Sequence, residues 1–293
     1  MTWQLAISIS ILANVVTVLV QRHYAQKSSA PATFPSAVSY VLGVTPIALL
    51  AGLLIFPNDI TWSWWLGLLL LIQASSMAIA NWTGFEAAKR LSVAPRQTIG
   101  CLSIVTAVIL GWSVLGEGLY LAQFAGGILL LIAALLAIWA PTRNMDQLTK
   151  HVHIDAVVIA VVSSVALGIV LVTEKAIAGH MQIGGVFLVG WTSQTAAMVL
   201  LAMKDMNKEN IRKFRRYELK WSTLMGLAGG ITGVFYVYAI VHADNISLVT
   251  SITAISFPLA ILAAFLFLHE RENKLLMWLS LLLGFTGILI TSL

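Results

Sequence analysis

Residues 96–140 read RQTIGCLSIVTAVILGWSVLGEGLYLAQFAGGILLLIAALLAIWA. Two apolar runs, 96–116 and 119–140, meet at a short connection around Glu117. Each is long enough to cross a hydrocarbon core, which takes about 20 helical residues. Reading outward from this pair gives eight more such runs, at 3–21, 34–56, 62–85, 154–176, 183–203, 221–242, 247–268 and 275–292. The expected fold class is an all-α integral membrane protein with ten transmembrane helices. When the connections are assigned alternately to two sides, sixteen of the 17 Lys and Arg residues collect on one side. Lys175 stands alone on the other. The crowded side is then cytoplasmic, and both termini lie outside.

Composition points the same way. The chain is 59% hydrophobic and only 10% charged, whereas a soluble domain carries about 25% charged residues. Lipid is therefore the solvent, and backbone polar groups must pair within helices. The net charge of +5 belongs to the cytoplasmic loops, so no nucleic-acid partner is expected. The densest basic run, Lys204 to Lys220, is expected to anchor topology and meet anionic lipids, with a regulatory surface as the alternative. Cys101, the single cysteine, reads as a small buried apolar residue. The start Met1-Thr2-Trp3 lacks the basic region of a cleavable signal, so the first run reads as a retained helix. A bacterial inner (plasma) membrane is the expected location.

The chain also repeats itself. Glu117 and Glu270 lie 153 residues apart. The same offset pairs Ile99 with Ile252, Ser103 with Ser256, Ala107 with Ala260, Ser10 with Ser163, Arg22 with Lys175 and Phe34 with Phe187. The two halves are read as 1–145 and 146–293, divided within the polar loop 141–153. Each half holds five helices. An odd number places the second half in the opposite orientation, and inverted repeats support two related conformations around a midplane site.

Five-plus-five helices, with a fourth helix ending in Gly116-Glu117 before another apolar helix, resemble the drug/metabolite transporter superfamily and its EamA-like branch. Residues 87–138 look like that family's repeat, and 240–291 look like its second copy. Leu268-His269-Glu270-Arg271 stands where the family often has Gly-Glu-Arg, with His269 replacing the usual glycine. Family members often carry basic residues between helices two and three. Here that loop is Phe56-Pro57-Asn58-Asp59, which implies an orientation opposite to that of many relatives. Those relatives are mostly exporters or exchangers of amino acids, metabolites, drugs or sugar nucleotides. The resemblance implies a transporter without choosing its cargo. It also implies a central cavity among helices one, three, four, six, eight and nine.

The polar residues on those helices are the candidate site. On helix one, Ser10, Asn14, Thr17 and Gln21 share a face, either a cavity wall or an interhelical hydrogen-bonding seam. On helix three, Gln73, Ser76, Ala80 and Thr83 form a similar face, whose offset partners are Gly226, Gly229, Gly233 and Tyr236. Those glycines, with Gly230, serve close helix packing or leave room for cargo. Asn81, Trp82 and Tyr238 offer polar or aromatic contact, or fill gaps near the interface. Gln97, its partner Thr250, Thr253 and Ser163 complete the cavity candidates.

Arg22, Glu86, Glu174 and Lys175 are read as gate or mouth residues. For Glu86, a local ion pair with Lys89 and Arg90 is the competing role, and for Arg22 and Lys175 it is snorkelling. Pro46 and Pro258 are expected to bend helices two and nine, as hinges if those helices move. No charge falls at the centre of a span, which favours a neutral, zwitterionic or amphipathic small molecule as cargo. A membrane-embedded enzyme and a lipid-flippase subunit are the rival classes. His269-Glu270-Arg271-Glu272 lacks the second histidine of a zinc helix, His151-Val152-His153 has no further ligands nearby, and no P-loop is present. No enzyme activity, metal or cofactor is expected. Assembly as a homodimer is compatible with the sequence.

Overall fold

The computed structural model describes residues 2–116, 118, 121–142, 147–214, 216–243, 249, 252–253, 255–269 and 274–291. Within them the regular elements are helical, apart from one isolated bridge between Ile60 and Met181. Seven helical spans are long and apolar enough to cross a membrane: Trp3–Lys27, Thr33–Ile55, Trp64–Arg90, Val93–Leu115, Ile154–Ala178, Ile183–Met203 and Tyr217–His242. Shorter apolar helices cover Phe124–Leu136 and Ser256–Phe267. Leu54, Trp64, Leu121 and Phe267 project away from the protein and stay largely exposed. A surface so continuously apolar is favourable against acyl chains and not against water. The architecture is that of a multi-pass, all-α membrane protein.

Local chemistry sets the helix ends. Helix α1 (Trp3–Lys27) starts at Thr2, whose hydroxyl accepts from the Leu5 amide at 3.4 Å. Helix α4 (Trp64–Arg90) starts at Ser63, which accepts from the Leu66 amide at 3.1 Å, and ends in the basic pair Lys89 and Arg90. The span between them is less regular. It runs through α2 (Thr33–Ser39), a π-turn at Tyr40–Val44, α3 (Thr45–Leu50) and a second π-turn at Ala51–Ile55. Pro46 lies directly after the first π-turn, inside a span that stays helical from Thr33 to Ile55, so its missing donor falls where the hydrogen-bond register changes.

The next span is broken. Helix α5 (Val93–Gly100) gives way to α6 (Leu102–Leu115) at Cys101. Cys101 bonds back to the Thr98 carbonyl at 3.2 Å, and the Ser103 hydroxyl takes up the Gly100 carbonyl at 2.7 Å. No proline causes this break. Helices α7 (Leu121–Thr142) and α8 (Gln147–Ala178) follow. Helix α8 thus begins within the expected loop 141–153, because Gln147 to His153 continue its turns beyond the apolar run.

Helix α9 (Ile183–Gly185), a π-turn at Val186–Trp191 and α10 (Thr192–Met203) make the next span. Then come α11 (Lys208–Lys213), α12 (Arg216–His242), α13 (Ser256–Phe267) and α14 (Lys274–Thr291). Pro258 sits in the first turn of α13, so it stands near a helix start where the sequence reading expected a mid-helix bend. Glu117, Thr250 and Glu270 lie outside the described residues.

Helix α1 packs along α12, α4 along α8, and α7 along α14. Glycines permit the tightest crossing. A methyl added to Gly226 on α12 would overlap the Ser39 carbonyl oxygen, and one on Gly43 would lie 2.5 Å from the Gly226 Cα. Gly233 takes the Trp191 ring against its bare backbone, and Gly230 takes Ile47. Gly229 differs, because the nearest atom to its added methyl is Thr17 Cγ2 at 3.9 Å. Packing therefore claims three of these four α12 glycines.

After α6 the chain turns at Gly116, with φ 69°. After α13 it turns at His269, with φ 55°. These positions share the 153-residue offset, and the left-handed conformation explains why glycine suits the first. His269 is exposed there. Replacing His269 with Gly should stabilise the protein by about 0.5–1 kcal/mol. Thermal unfolding in detergent checks this, and a lower melting temperature would show that the imidazole has a stabilising role of its own.

Candidate cavity

The helices line a partly open cavity of about 350 Å³, a volume suited to a small metabolite. Helices α1, α4, α5, α6, α8, α10 and α12 contribute to its wall. Ser39, Tyr40 and Trp191 bring in the two π-turned spans, and Phe257 brings in α13.

Of the expected cavity residues, Asn14, Thr17, Gln21, Asn81, Gln97, Ser163, Tyr236 and Thr253 line this space. Asn14 donates to the Ser256 hydroxyl at 2.8 Å, linking α1 to α13. Asn81 donates to the Tyr40 hydroxyl at 3.2 Å. Ser163 donates to the Ala80 carbonyl at 2.8 Å, linking α8 to α4.

Other candidates lie elsewhere. Ser10 is fully buried and donates to the Thr232 carbonyl at 2.9 Å, so it joins α1 to α12. Trp82 packs beside Tyr24 and Phe85, with the Lys204 ammonium 4.2 Å above its ring. Tyr238 stacks on His242 with ring centroids 4.1 Å apart. The α1 stripe thus does both jobs: Ser10 makes the seam, while Asn14, Thr17 and Gln21 face the cavity.

The four expected mouth residues separate. Glu86 pairs locally with Lys89 at 3.6 Å and Arg90 at 3.5 Å. Arg22 is buried and donates to the Ala88 carbonyl at 2.6 Å. Lys175 is half-buried. Glu174 instead lines the cavity, only 5% exposed. Its Oε1 accepts from Trp191 Nε1 at 2.9 Å and from Gln73 Nε2 at 3.5 Å. Gln73 is thereby a supporting residue that holds the carboxyl from α4.

Sequence reasoning missed Arg96, Trp191 and Gln194 as cavity residues. Arg96 is buried and donates to Gln21 Oε1 at 2.7 Å and to the Gly84 carbonyl at 3.4 Å. Gln194 is 1% exposed, and its Nε2 has no partner among the described residues. One signal was available: Glu174 is the offset partner of Gln21, so the polar stripe on α1 continues onto α8. Trp191 had no comparable signal, because an aromatic residue in an apolar span is ordinary.

No family model and no curated protein sequence matches the chain. Among solved structures, 27 chains are similar. One, described only as the crystal structure of a protein, aligns over 97% of this chain and 98% of its own, with TM-score 0.69 and 15% identity. At that identity the likeness is one of fold alone, and it extends over nearly all of both chains.

Proposed function

We propose that the protein is a secondary transporter of the EamA-like drug/metabolite type, moving a small neutral, zwitterionic or amphipathic metabolite by alternating access. The carrying observation is the polar-studded cavity of about 350 Å³ inside a bundle whose outside is apolar. Hydrogen-bonding groups in lipid are costly unless they serve packing or solvent-filled space. Here Asn14, Gln97 and Gln194 converge on one such space.

Three features support reading the bundle as ten helices in two inverted halves. Exchanging the halves by 153 residues maps the α1–α12 pair onto the α8–α4 pair, and α7–α14 onto itself. The Ser10 bond to α12 and the Ser163 bond to α4 are offset partners to within one residue. The interruptions at Cys101 and Ile255 also correspond to within one residue. Broken helices lining a cavity are a frequent device of such transporters.

Export or exchange across a bacterial inner membrane is the proposed setting. Purified protein in liposomes should move a cargo, identified by metabolite profiling of cells with and without the protein, without altering it chemically. Product formation would favour an enzyme, and lipid scrambling without solute flux would favour a flippase component. The proposed orientation has its own test. With an impermeant thiol reagent on intact cells, Thr2→Cys should react and Asn210→Cys should not. The reverse pattern would invert the topology.

A further inference from the structure

The two ends of the cavity treat charge differently. At one end, Gln21 presents a neutral amide oxygen to the protein's own cation, Arg96, at 2.7 Å. At the other, the offset partner of Gln21 is Glu174, a carboxyl group whose donors are both neutral: the Trp191 indole and the Gln73 amide. Among the described residues no cation pairs with Glu174. Both hydrogen bonds fall on Oε1, so Oε2 is left for whatever enters the cavity.

Arg96 cannot supply the missing charge. Its carbonyl partner Gly84 and the Glu174 partner Gln73 lie on α4, eleven residues apart, or roughly 16 Å along the helix axis at 1.5 Å per residue. That span exceeds the reach of an arginine side chain. It also exceeds the separation of the two charges in an α-amino acid.

Polar capacity remains unused in this wall: the Oε1 of Gln73, whose amide nitrogen holds Glu174, is buried without a partner among the described residues. Gln194 stands three residues after Trp191 on the same side of its helix, about 5 Å further along. It lines the cavity, and its buried Nε2 donor has no partner among the described residues. A buried unpaired donor costs free energy until something accepts from it. A buried carboxylate likewise requires a countercharge or a proton.

We infer that Glu174 and Gln194 form an ammonium-binding subsite of this cavity, with Gln73 and Trp191 positioning the carboxylate and Gln194 donating to an acceptor oxygen near the amine. The inference rests on the transporter reading and narrows its cargo to molecules bearing a protonated amine. The amine donates to Glu174 Oε2. The flanking acceptor takes Gln194 Nε2.

Three probes that share one skeleton isolate charge: 2-phenylethylamine, 2-phenylethanol and phenylacetate. Each is titrated against the full-length protein in detergent, with thermal stabilisation as the readout. The amine should stabilise in preference to the alcohol, and the carboxylate should not stabilise. Glu174→Gln should weaken the apparent amine affinity roughly tenfold or more, and a cooperative melt with a monodisperse elution profile in the absence of probe shows that the variant is folded. Glu174→Asp should keep a reduced amine preference. Equal responses to amine and alcohol, no response to the amine at millimolar concentration, or an intact preference in Glu174→Gln would each overturn the subsite. Liposome flux separates the underlying reading. Amine-selective binding with no solute flux for any cargo defeats transport and leaves the subsite, whereas flux of another cargo without amine selectivity does the reverse.

Discussion

Gly226→Ala is expected to remove most folded protein from the membrane, while Gly229→Ala, three residues away, is expected to be tolerated. At Gly226 the new methyl would overlap the Ser39 carbonyl oxygen and stand 2.7 Å from the Ser39 carbonyl carbon. Both atoms belong to backbone, so no rotamer change relieves the clash. Helix α12 would have to move off the span that begins with α2, and the Gly43 contact with Gly226 would open with it. Overpacking costs about 1–3 kcal/mol and more where backbone meets backbone, a large fraction of a typical net stability. At Gly229 the nearest atom would be 3.9 Å away. There the methyl makes an ordinary van der Waals contact with the Thr17 methyl, and the gain in helix propensity is about 1 kcal/mol. The measurement is the yield of monodisperse protein after extraction, followed by thermal unfolding. A Gly226→Ala protein that melts with the wild type would show that this crossing is looser than described.

Asn14→Leu is the second large effect, and it should appear in transport more than in abundance. The lost bond to Ser256 is a single interhelical hydrogen bond, worth about 0.6 kcal/mol in membranes. The cavity loses a carboxamide that both donates and accepts. If cargo uses either function, a tenfold drop in apparent affinity needs only about 1.4 kcal/mol, so function should fall well before folding does. Cysteines replacing Asn14 and Thr17 should react with a small water-soluble thiol reagent, and cargo should slow them. A cysteine replacing Leu12, which is 65% exposed on the lipid side, should stay inert. Equal inertness at 12, 14 and 17 in protein that still transports would show that the α1 face is sealed packing.

How far the sequence reached can be judged from particular residues. The apolar runs alone determined that the chain is helical and lives in lipid, because hydropathy over some 20 residues is a local sum that needs no partner. The polar spacing on α1 determined that Asn14, Thr17 and Gln21 share a face. The position of Gly116 between two runs marked a turn, and its left-handed φ of 69° agrees with the residue chosen there.

Contacts between distant segments decided the rest. Whether Gly226 or Gly229 carries the crossing depends on where the Ser39 carbonyl arrives from another helix, and both have the same spacing signature. The break at Cys101 has no proline or charge to announce it. Its cavity-side placement is a tertiary fact, with Gly100 and Ser103 on the wall. Glu174 is the clearest case. By position it stands four residues before the end of α8, where a carboxylate ordinarily reaches the interface. Only the approach of Trp191 and Gln73 from two other helices turns it inward. A one-dimensional pattern records how far a residue lies from a helix end, but the burial of its charge is set by what packs around it.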